Sequence, residues 1–303
     1  TNLPKIPGTS LAGAARSYAA MRYGKIQCAG QGGGAQPHCG QPTCPICYTF
    51  GTARGTAGGS AGTVSISDAR LLLFPVHSMA GPVWVTSPST LADFGISGQQ
   101  VSENKAKWSK TLTQQNRLNL GWLMLEKEGD WSAPDLPEVQ PEVKSRIVLV
   151  SDKLFSQIVN SNLEVRTSVS IDPRTGAAAE GALFTYEALP RATWLWLDVV
   201  EDDYQGHFPK TERKCKAEKQ KEGDREEVIY TDNAGDELGK AWSRPLDVVR
   251  AGLELAEYLG IGGMGTRGFG RIKLMADWEV QHGESGYPGC ANSTKDHRRH
   301  HEI

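Results

Sequence analysis

The chain has 303 residues, 39% of them hydrophobic, and a formal net charge of −2 at pH 7. This length accommodates one large domain or two small ones with a substantial core, and the lack of a run of about 18 apolar residues excludes a membrane-spanning helix. The near-neutral charge argues against a freestanding nucleic-acid binder, which usually carries a basic surplus, but it permits contacts through locally placed arginines and lysines.

The two ends of the chain carry little targeting information. The start at Thr1 shows neither the basic region nor the apolar region of a signal peptide, and because no initiator Met is present, we expect further residues upstream. Residues 279–303 are polar, and we expect this tail to lack a fixed structure. These features predict a cytoplasmic protein.

The first predicted element is a helix that opens within residues 6–16. Thr9 or Ser10 can cap its start, and an apolar face begins at helical spacing with Leu11 and Ala15. An ordinary capped helix accounts for this pattern. The alternative is a phosphate seat, because the free N–H groups at the start of a helix attract anions.

Four of the six cysteines lie close together in the sequence, at Cys28, Cys39, Cys44 and Cys47. The last two form a Cys-x-x-Cys turn that can chelate one ion, and two further ligands complete a tetrahedral zinc site with no open position for catalysis. His38 competes with Cys28 for the fourth place. The glycine-rich segment 30–37 cannot build a core and needs such a staple, so we predict structural zinc in a reducing cytoplasm instead of a disulfide scaffold. Scattered reduced cysteines are the alternative.

The middle of the chain shows strand patterns and one hairpin. Alternating apolar residues predict strands within 63–76, and residues 146–150 predict a short buried strand. Residues 165–184 alternate, turn between Asp172 and Gly176, and alternate again, which predicts a hairpin arm with a small-residue tip. On pattern alone this arm is an ordinary surface hairpin.

A glycine-rich loop follows the last long helical pattern. Gly260, Gly262 and Gly265 fit G-x-G-x-x-G, but a dinucleotide loop needs a strand before it and a helix after it. Here a helix precedes the glycines and a strand is predicted at 270–275, so the order is reversed. Bare peptide N–H groups beside arginines suit a long polyanion, whereas the alternative is a glycine-rich connection with solvated arginines.

Four segments of the sequence carry a shared resemblance. They are Ile-Pro-Gly-Thr-Ser-Leu-Ala-Gly-Ala-Ala-Arg at 6–16, Phe-Pro-Val at 74–76, the hairpin 165–184, and Gly-Met-Gly-Thr-Arg-Gly-Phe-Gly-Arg-Ile at 263–272. In combination they resemble the RAMP superfamily, the RNA-binding proteins of CRISPR systems, and within it the repeated backbone subunit of the type III-B (Cmr) effector complex. The resemblance extends from Leu3 to about Leu274.

The resemblance implies an α+β fold with a ferredoxin-like (RRM-like) core, an inserted zinc-binding loop and a β-hairpin thumb, which the order of predicted elements also fits. We therefore expect one RAMP domain over residues 1–278, with the zinc loop at 25–62 and the thumb at 165–184, followed by the tail 279–303. In this family the thumb reaches over the guide–target duplex and displaces a base pair at regular intervals, which an apolar tip at Ile171 can do.

The resemblance also implies a multi-copy subunit that binds guide crRNA, target RNA, copies of itself and other subunits of the effector complex. Head-to-tail contacts between copies build an open filament along the guide. Ala12, His77 and Ala80 stand where the family prefers basic residues. The residues implied in RNA binding are Gly8, Thr9, Ser10, Arg16, His77, Ile171, Gly262, Gly263, Gly265, Thr266, Arg267, Gly268 and Arg271.

In this family the subunit cleaves bound target RNA with Mg²⁺ or a similar divalent ion, using an Asp in a loop before the Ile-Pro-Gly segment. We expect that loop to lie upstream of Thr1, so no cutting residue is assigned. A non-cleaving RNA-binding scaffold of the same complex is the alternative. A third interpretation is a monomeric guide-processing ribonuclease with a His general base, for which His77 and His207 lack a suitable setting.

Overall fold

The computed structural model describes residues 3–30, 38–52, 59–204, 206–209, 217–218, 227–228, 242–275, 281–282 and 298–301. Its helices are α1 (Gly8–Arg22), α2 (Pro45–Phe50), α3 (Pro88–Asp93), α4 (Pro141–Lys144), α5 (Asp152–Ser161) and α6 (Pro245–Leu259). Its strands are β1 (Val64–Ile66), β2 (Arg70–Ser78), β3 (Gly81–Thr86), β4 (Lys105–Trp108), β5 (Arg117–Leu120), β6 (Leu123–Asp130), β7 (Ile147–Val150), β8 (Glu164–Ile171), β9 (Ala178–Ala188), β10 (Trp194–Trp196), β11 (Asp198–Glu201), β12 (Ala217–Glu218), β13 (Glu227–Val228), β14 (Gln281–His282) and β15 (Arg298–His301). This mixture confirms the α+β class.

The chain divides into two compact units. The sheet unit comprises residues 1–5 and 70–196, and the helical unit comprises residues 6–69 and 197–303. The expectation of one RAMP domain over residues 1–278 stays a prediction.

The sheet unit is built on a seven-stranded mixed sheet in the order β10-β2-β3-β7-β4-β6-β5. β3 pairs in parallel with β7, and β4 with β6, while the other neighbours are antiparallel. Successive side chains of a strand point to opposite faces. In β7, Val148 and Val150 join one buried apolar cluster and Ile147 and Leu149 join another. Both faces of this central strand are therefore covered, which confirms the buried strand predicted at 146–150.

β8 and β9 form a two-stranded antiparallel sheet of their own. The turn between them is closed by the Asp172 N–H, which donates to the Ala177 carbonyl oxygen, and by the Gly176 N–H, which donates to the Asp172 carbonyl oxygen, both at 2.9 Å. Gly176 has φ +66°, where a side chain would be strained. The hairpin predicted at 165–184 is therefore confirmed. Its exposed apolar side chains are Val165, Val169, Ile171, Leu183 and Phe184.

The helical unit is organised around the packing of α1 against α6. Gly252 of α6 lies so close to α1 that an added Cβ would overlap the carbonyl oxygen of Ala15. The buried Arg22 guanidinium donates to the Ala251 carbonyl oxygen at 2.7 Å and to the Glu254 carboxylate at 2.8 Å. These contacts hold the two helices at close approach, because the smallest side chains lie where the axes cross.

A smaller sheet in the helical unit has the order β1-β11-β15-β14 and contains part of the polar tail. β15 pairs antiparallel with β11, with His301 opposite Asp198. The expectation that the tail lacks a fixed structure is therefore wrong for residues 298–301, because the free edge of β11 offers backbone partners that composition does not reveal. Apart from β14 and β15, the tail lies outside the described residues.

Candidate metal centre and glycine loop

The four clustered cysteines converge on one point in the helical unit. The Sγ atoms of Cys28, Cys39, Cys44 and Cys47 all lie within 4.8 Å of one another. The Sγ–Sγ distances are 3.6 Å for Cys39–Cys47, 3.8 Å for Cys28–Cys47 and 3.9 Å for Cys28–Cys44. Four sulfurs bound at about 2.3 Å to a tetrahedral zinc ion stand about 3.8 Å apart. The arrangement therefore fits a four-coordinate metal ion.

Local structure explains how these thiols meet. Cys28 ends a short 3₁₀ turn after α1, while Cys44 precedes Pro45 at the start of α2 and Cys47 lies one turn later. Cys28, Cys44 and Cys47 are buried and Cys39 is half-buried. A site closed in this way leaves no position for a reacting water, which is typical of structural rather than catalytic metal centres.

The thiols perturb one another because they share hydrogen bonds in a buried space. Hydrogen bonds from Cys44 and Cys47 lower the pKa of Cys28. The same contacts with Cys28, assisted by burial, raise the pKa of Cys44 and raise the pKa of Cys47 to about 12. Cysteines bind a metal ion as thiolates, so a divalent cation at this point would stabilise their negative charge.

The sequence leaves open whether Cys28 or His38 is the fourth metal ligand, and the geometry of the fold distinguishes them. Cys28 contributes its sulfur to the cluster, whereas the Nδ1 atom of the buried His38 lies 3.0 Å from Nη2 of Arg16. Because a guanidinium only donates, Nδ1 accepts, and the proton of neutral His38 sits on Nε2. Burial, followed by the charge of Arg16, lowers the pKa of His38.

The start of α1 differs from its predicted form. The N-cap is Pro7, which offers no side-chain hydrogen bond, so the prediction of a cap by Thr9 or Ser10 is wrong. Instead, the Gly8 N–H donates to the Asp68 carboxylate at 2.8 Å. Proline has no side-chain acceptor, and a residue 60 positions away supplies one. Thr9 and Ser10 are exposed on the first turn.

Gly8 itself is required by packing. A Cβ at this position would overlap the Ile66 carbonyl oxygen of β1. The glycine therefore serves contact within the helical unit, and its N–H group is already used by Asp68. Because the negatively charged Asp68 carboxylate already occupies the start of α1, this helix end attracts other anions less strongly.

The glycine loop is a closed, exposed structure at the end of α6. Its base is joined by the Ile261 N–H, which donates to the Gly270 carbonyl oxygen at 2.9 Å, and by the Tyr18 hydroxyl of α1, which donates to the Gly260 carbonyl oxygen at 2.6 Å. Met264 lies at the loop's far side with φ 60°, a strained left-handed conformation for a side chain of this size. The loop is thus held at its base and open beyond it.

The loop exposes the residues that the sequence singled out. Exposed residues in it are Gly262, Gly263, Gly265, Thr266, Arg267, Gly268 and Arg271. Residues 265–267 form a short 3₁₀ turn. The strand predicted at 270–275 is not observed, because residues 271–275 have no ladder partner among the described residues, and the Leu274 N–H donates instead to the Glu257 carboxylate at 2.7 Å.

The remaining predicted RNA-binding residues are divided between the two units. His77 is exposed on β2 opposite Pro82, and Ile171 is exposed at the end of β8; both belong to the sheet unit. Arg16 is half-buried. Its guanidinium donates to groups of the segment 28–51 that contains the four cysteines, called the cysteine segment below. Asp68 was not predicted as a site residue, and its partner is too distant in sequence to leave a local signal.

Comparison with known proteins gives the class. A family model described as the RAMP superfamily matches residues 1–273. The chain therefore belongs to the RAMP superfamily, and the resemblance that its motifs carry is confirmed. Over 167 residues it is 26% identical to the CRISPR system Cmr endoribonuclease Cmr4 of Pyrococcus furiosus, covering 48% of this chain and 57% of that protein. The match thus spans a little over half of that relative's length.

Solved structures give a weaker likeness. Oligomeric Cmr4 from Pyrococcus furiosus is 19% identical with a TM-score of 0.46, over 89% of this chain and 85% of that chain. A chain of the type III-B Cmr-beta complex bound to cognate target RNA is 16% identical with a TM-score of 0.46, over 65% of this chain and 70% of that chain. Within the described residues, no helix has the length and apolarity needed to cross a lipid bilayer.

Proposed function

We propose that this protein is a multi-copy backbone subunit of a type III-B CRISPR ribonucleoprotein, located in the cytoplasm. It binds guide crRNA and target RNA and contacts copies of itself and other subunits of the complex. Membership of the RAMP superfamily and the similarity to Cmr4 support this assignment. The RAMP domain over residues 1–278, with its ferredoxin-like core, zinc loop 25–62 and thumb 165–184, is part of the same proposal.

The observation that carries RNA binding is the freedom around Gly263. No heavy atom lies within 4 Å of the position that its Cβ would occupy, and its φ lies outside the left-handed region. The fold therefore does not require glycine here, and the bare peptide beside two exposed arginines leaves this side of the loop open to a molecule that approaches from outside. Arg267 and Arg271, both exposed on the same loop, supply positive charge for a phosphate chain.

The exposed hydroxyls at the start of α1 are a second element of the proposed RNA contact. Thr9 and Ser10 offer donors to phosphate oxygens, while Asp68 already accepts from the Gly8 N–H. In the sheet unit, His77 and the apolar thumb residue Ile171 contact guide and target. Ile171, which is exposed at the end of β8, is large enough to enter a base step.

Two bound ions belong to the proposal. A structural zinc ion is held by the four cysteine thiolates, whose spacing matches tetrahedral coordination. Cleavage of target RNA uses Mg²⁺ or a similar divalent ion, which would stabilise charge on the phosphate. No residue of this chain is assigned to the cutting step, and Cmr4 is named an endoribonuclease.

A non-cleaving RNA-binding scaffold of the same complex is the second candidate, because the similarity to the endoribonuclease Cmr4 covers only 57% of that protein. The assembled complex separates the two functions. It is incubated with guide-matched RNA, with Mg²⁺ and then with a chelator in excess. Evenly spaced products that vanish with chelator support cleavage; intact target in both samples supports the scaffold.

A further inference from the structure

The Arg16 guanidinium is surrounded by acceptors of the cysteine segment. Its Nε donates to the Cys28 carbonyl oxygen at 2.8 Å, its Nη1 to the Gly51 carbonyl oxygen at 2.9 Å, and its Nη2 to His38 Nδ1 at 3.0 Å. A second, longer contact joins Nη1 to the Phe50 carbonyl oxygen at 3.4 Å. All three nitrogens of the guanidinium therefore point into this segment.

These acceptors lie on both sides of the cysteine cluster. Cys28 belongs to the short turn after α1, whereas Phe50 and Gly51 close α2, the helix that carries Cys47. One side chain of α1 thus ties together the two pieces of backbone that supply buried sulfurs. A lysine has a single nitrogen and cannot satisfy three acceptors spread in this way.

Charge gives Arg16 a second role. Four thiolates around one Zn²⁺ ion leave two excess negative charges in a largely buried space, and an uncompensated buried charge is costly. The Arg16 guanidinium lies against this centre, since its Nε donates to the Cys28 carbonyl oxygen and its Nη2 to His38.

We propose that Arg16 is a positioning residue of the metal centre, which locks the Cys28 turn and the end of α2 around the ion and offsets its negative charge. This inference rests on the zinc centre of the proposed function. It assigns Arg16 to the metal, not to an RNA phosphate, although the resemblance of residues 6–16 to RAMP proteins implies the latter. The contacts with Cys28, Phe50, Gly51 and His38 engage all three nitrogens of the guanidinium and leave no free pair of N–H groups for bidentate phosphate binding.

The test measures zinc release from the full chain in its assembled complex. Arg16→Gln, Arg16→Lys and the control Lys153→Gln, an exposed cation on α5, are challenged with a colorimetric chelator. We expect Arg16→Gln to release zinc at least about tenfold faster, in line with the loss of an outer hydrogen-bonding partner. Arg16→Lys keeps the positive charge but loses the branched guanidinium, so its rate of zinc release should lie between those of Arg16→Gln and the parent. The rate of the control should match that of the parent.

Cobalt substitution and RNA binding complete the test. The Co²⁺–thiolate bands of Arg16→Gln should shift, because the positions of the Cys28 and Cys47 ligands change. When zinc-loaded Arg16→Gln is titrated with guide RNA, the slope of log affinity against log salt should equal that of the parent. Loss of a phosphate contact would instead reduce this slope by about 0.7. Unchanged release rates and cobalt bands in a folded Arg16→Gln protein, or a reduced slope, overturn the inference. A parent protein without zinc overturns the metal centre itself.

Discussion

Gly252 of α6 rests directly on the backbone of Ala15 in α1, and the crossing has no room for even one methyl group. We expect Gly252→Ala to lower the free energy of unfolding by about 1–3 kcal/mol, because an added carbon forces the helices apart. Urea denaturation followed by circular dichroism measures the change.

Gly13→Ala is the matched control for this crossing. Gly13 lies on the same helix as Ala15, and no heavy atom stands within 4 Å of its Cβ position. There the substitution should raise the free energy of unfolding by about 0.5–1 kcal/mol through helix propensity alone. Equal effects at the two positions would contradict the close packing.

Gly263→Val tests the open side of the glycine loop. No heavy atom lies within 4 Å of the Cβ position and the residue is exposed, so stability should change by less than about 0.5 kcal/mol. Guide RNA affinity should fall at least about fivefold, which corresponds to about 1 kcal/mol, because the side chain obstructs the approaching phosphate chain. Fluorescence anisotropy with labelled guide RNA provides the measurement. Gly30→Val, at an exposed glycine with equal free space, should leave affinity unchanged, and a parent-like affinity for Gly263→Val would remove the loop from the RNA path.

Arg267→Gln tests the charge of the same loop. Arg267 is exposed on the 3₁₀ turn 265–267, and each phosphate contact with single-stranded RNA contributes about 0.7 to the slope of log affinity against log salt. We expect the slope to fall by about that amount, as measured by titrations at several salt concentrations. Lys153→Gln should keep the parent slope, and an identical slope for Arg267→Gln would exclude a phosphate contact.

Substitutions of the metal ligands should change metal content in an all-or-none manner. Cys44→Ser and Cys28→Ser should each lose about one zinc per chain, as measured by plasma mass spectrometry after dialysis. His38→Asn should retain its zinc, because His38 Nδ1 faces Arg16 and not the sulfurs. Retained zinc in Cys28→Ser together with loss in His38→Asn would assign the fourth ligand to the histidine.

Asp68→Asn addresses the carboxylate at the start of α1. An asparagine oxygen can still accept from the Gly8 N–H, but the negative charge beside Thr9 and Ser10 is gone. Guide RNA affinity at low salt should rise about twofold to fivefold, since a charge near a helix end is worth about 0.3–1 kcal/mol. Unchanged or weaker affinity in a protein of parent stability would place the RNA away from this helix start.

Features with local chemistry could be predicted from the sequence. The hairpin 165–184 was predicted because Asp172 and Gly176 form its turn through contacts within six residues, and the strand 146–150 because β7 is apolar at every position. The clustering of the four cysteines followed from their spacing and the ligand demand of one tetrahedral ion.

Features set by distant partners could not be predicted. The cap of α1 comes from Asp68, and the sequence around Thr9 and Ser10 suggests a local cap that Pro7 replaces. The segment after Gly270 alternates as a strand does, yet no neighbouring strand is available to it among the described residues. Likewise, the sequence offers both Cys28 and His38 as the fourth ligand, and only the fold shows that the Cys28 sulfur joins the cluster while His38 Nδ1 faces Arg16.

Arg16 and Tyr18 stand two residues apart on α1 and are turned to different tasks, one to the cysteine segment and the other to the base of the glycine loop. Because a single turn of helix is stiff, the positions of Arg16 at the cysteine segment and Tyr18 at the glycine loop are coupled. A rearrangement of the cysteine segment that displaces Arg16 would therefore also displace Tyr18 and its hydrogen bond to the Gly260 carbonyl oxygen, so α1 couples the cysteine segment to the base of the glycine loop.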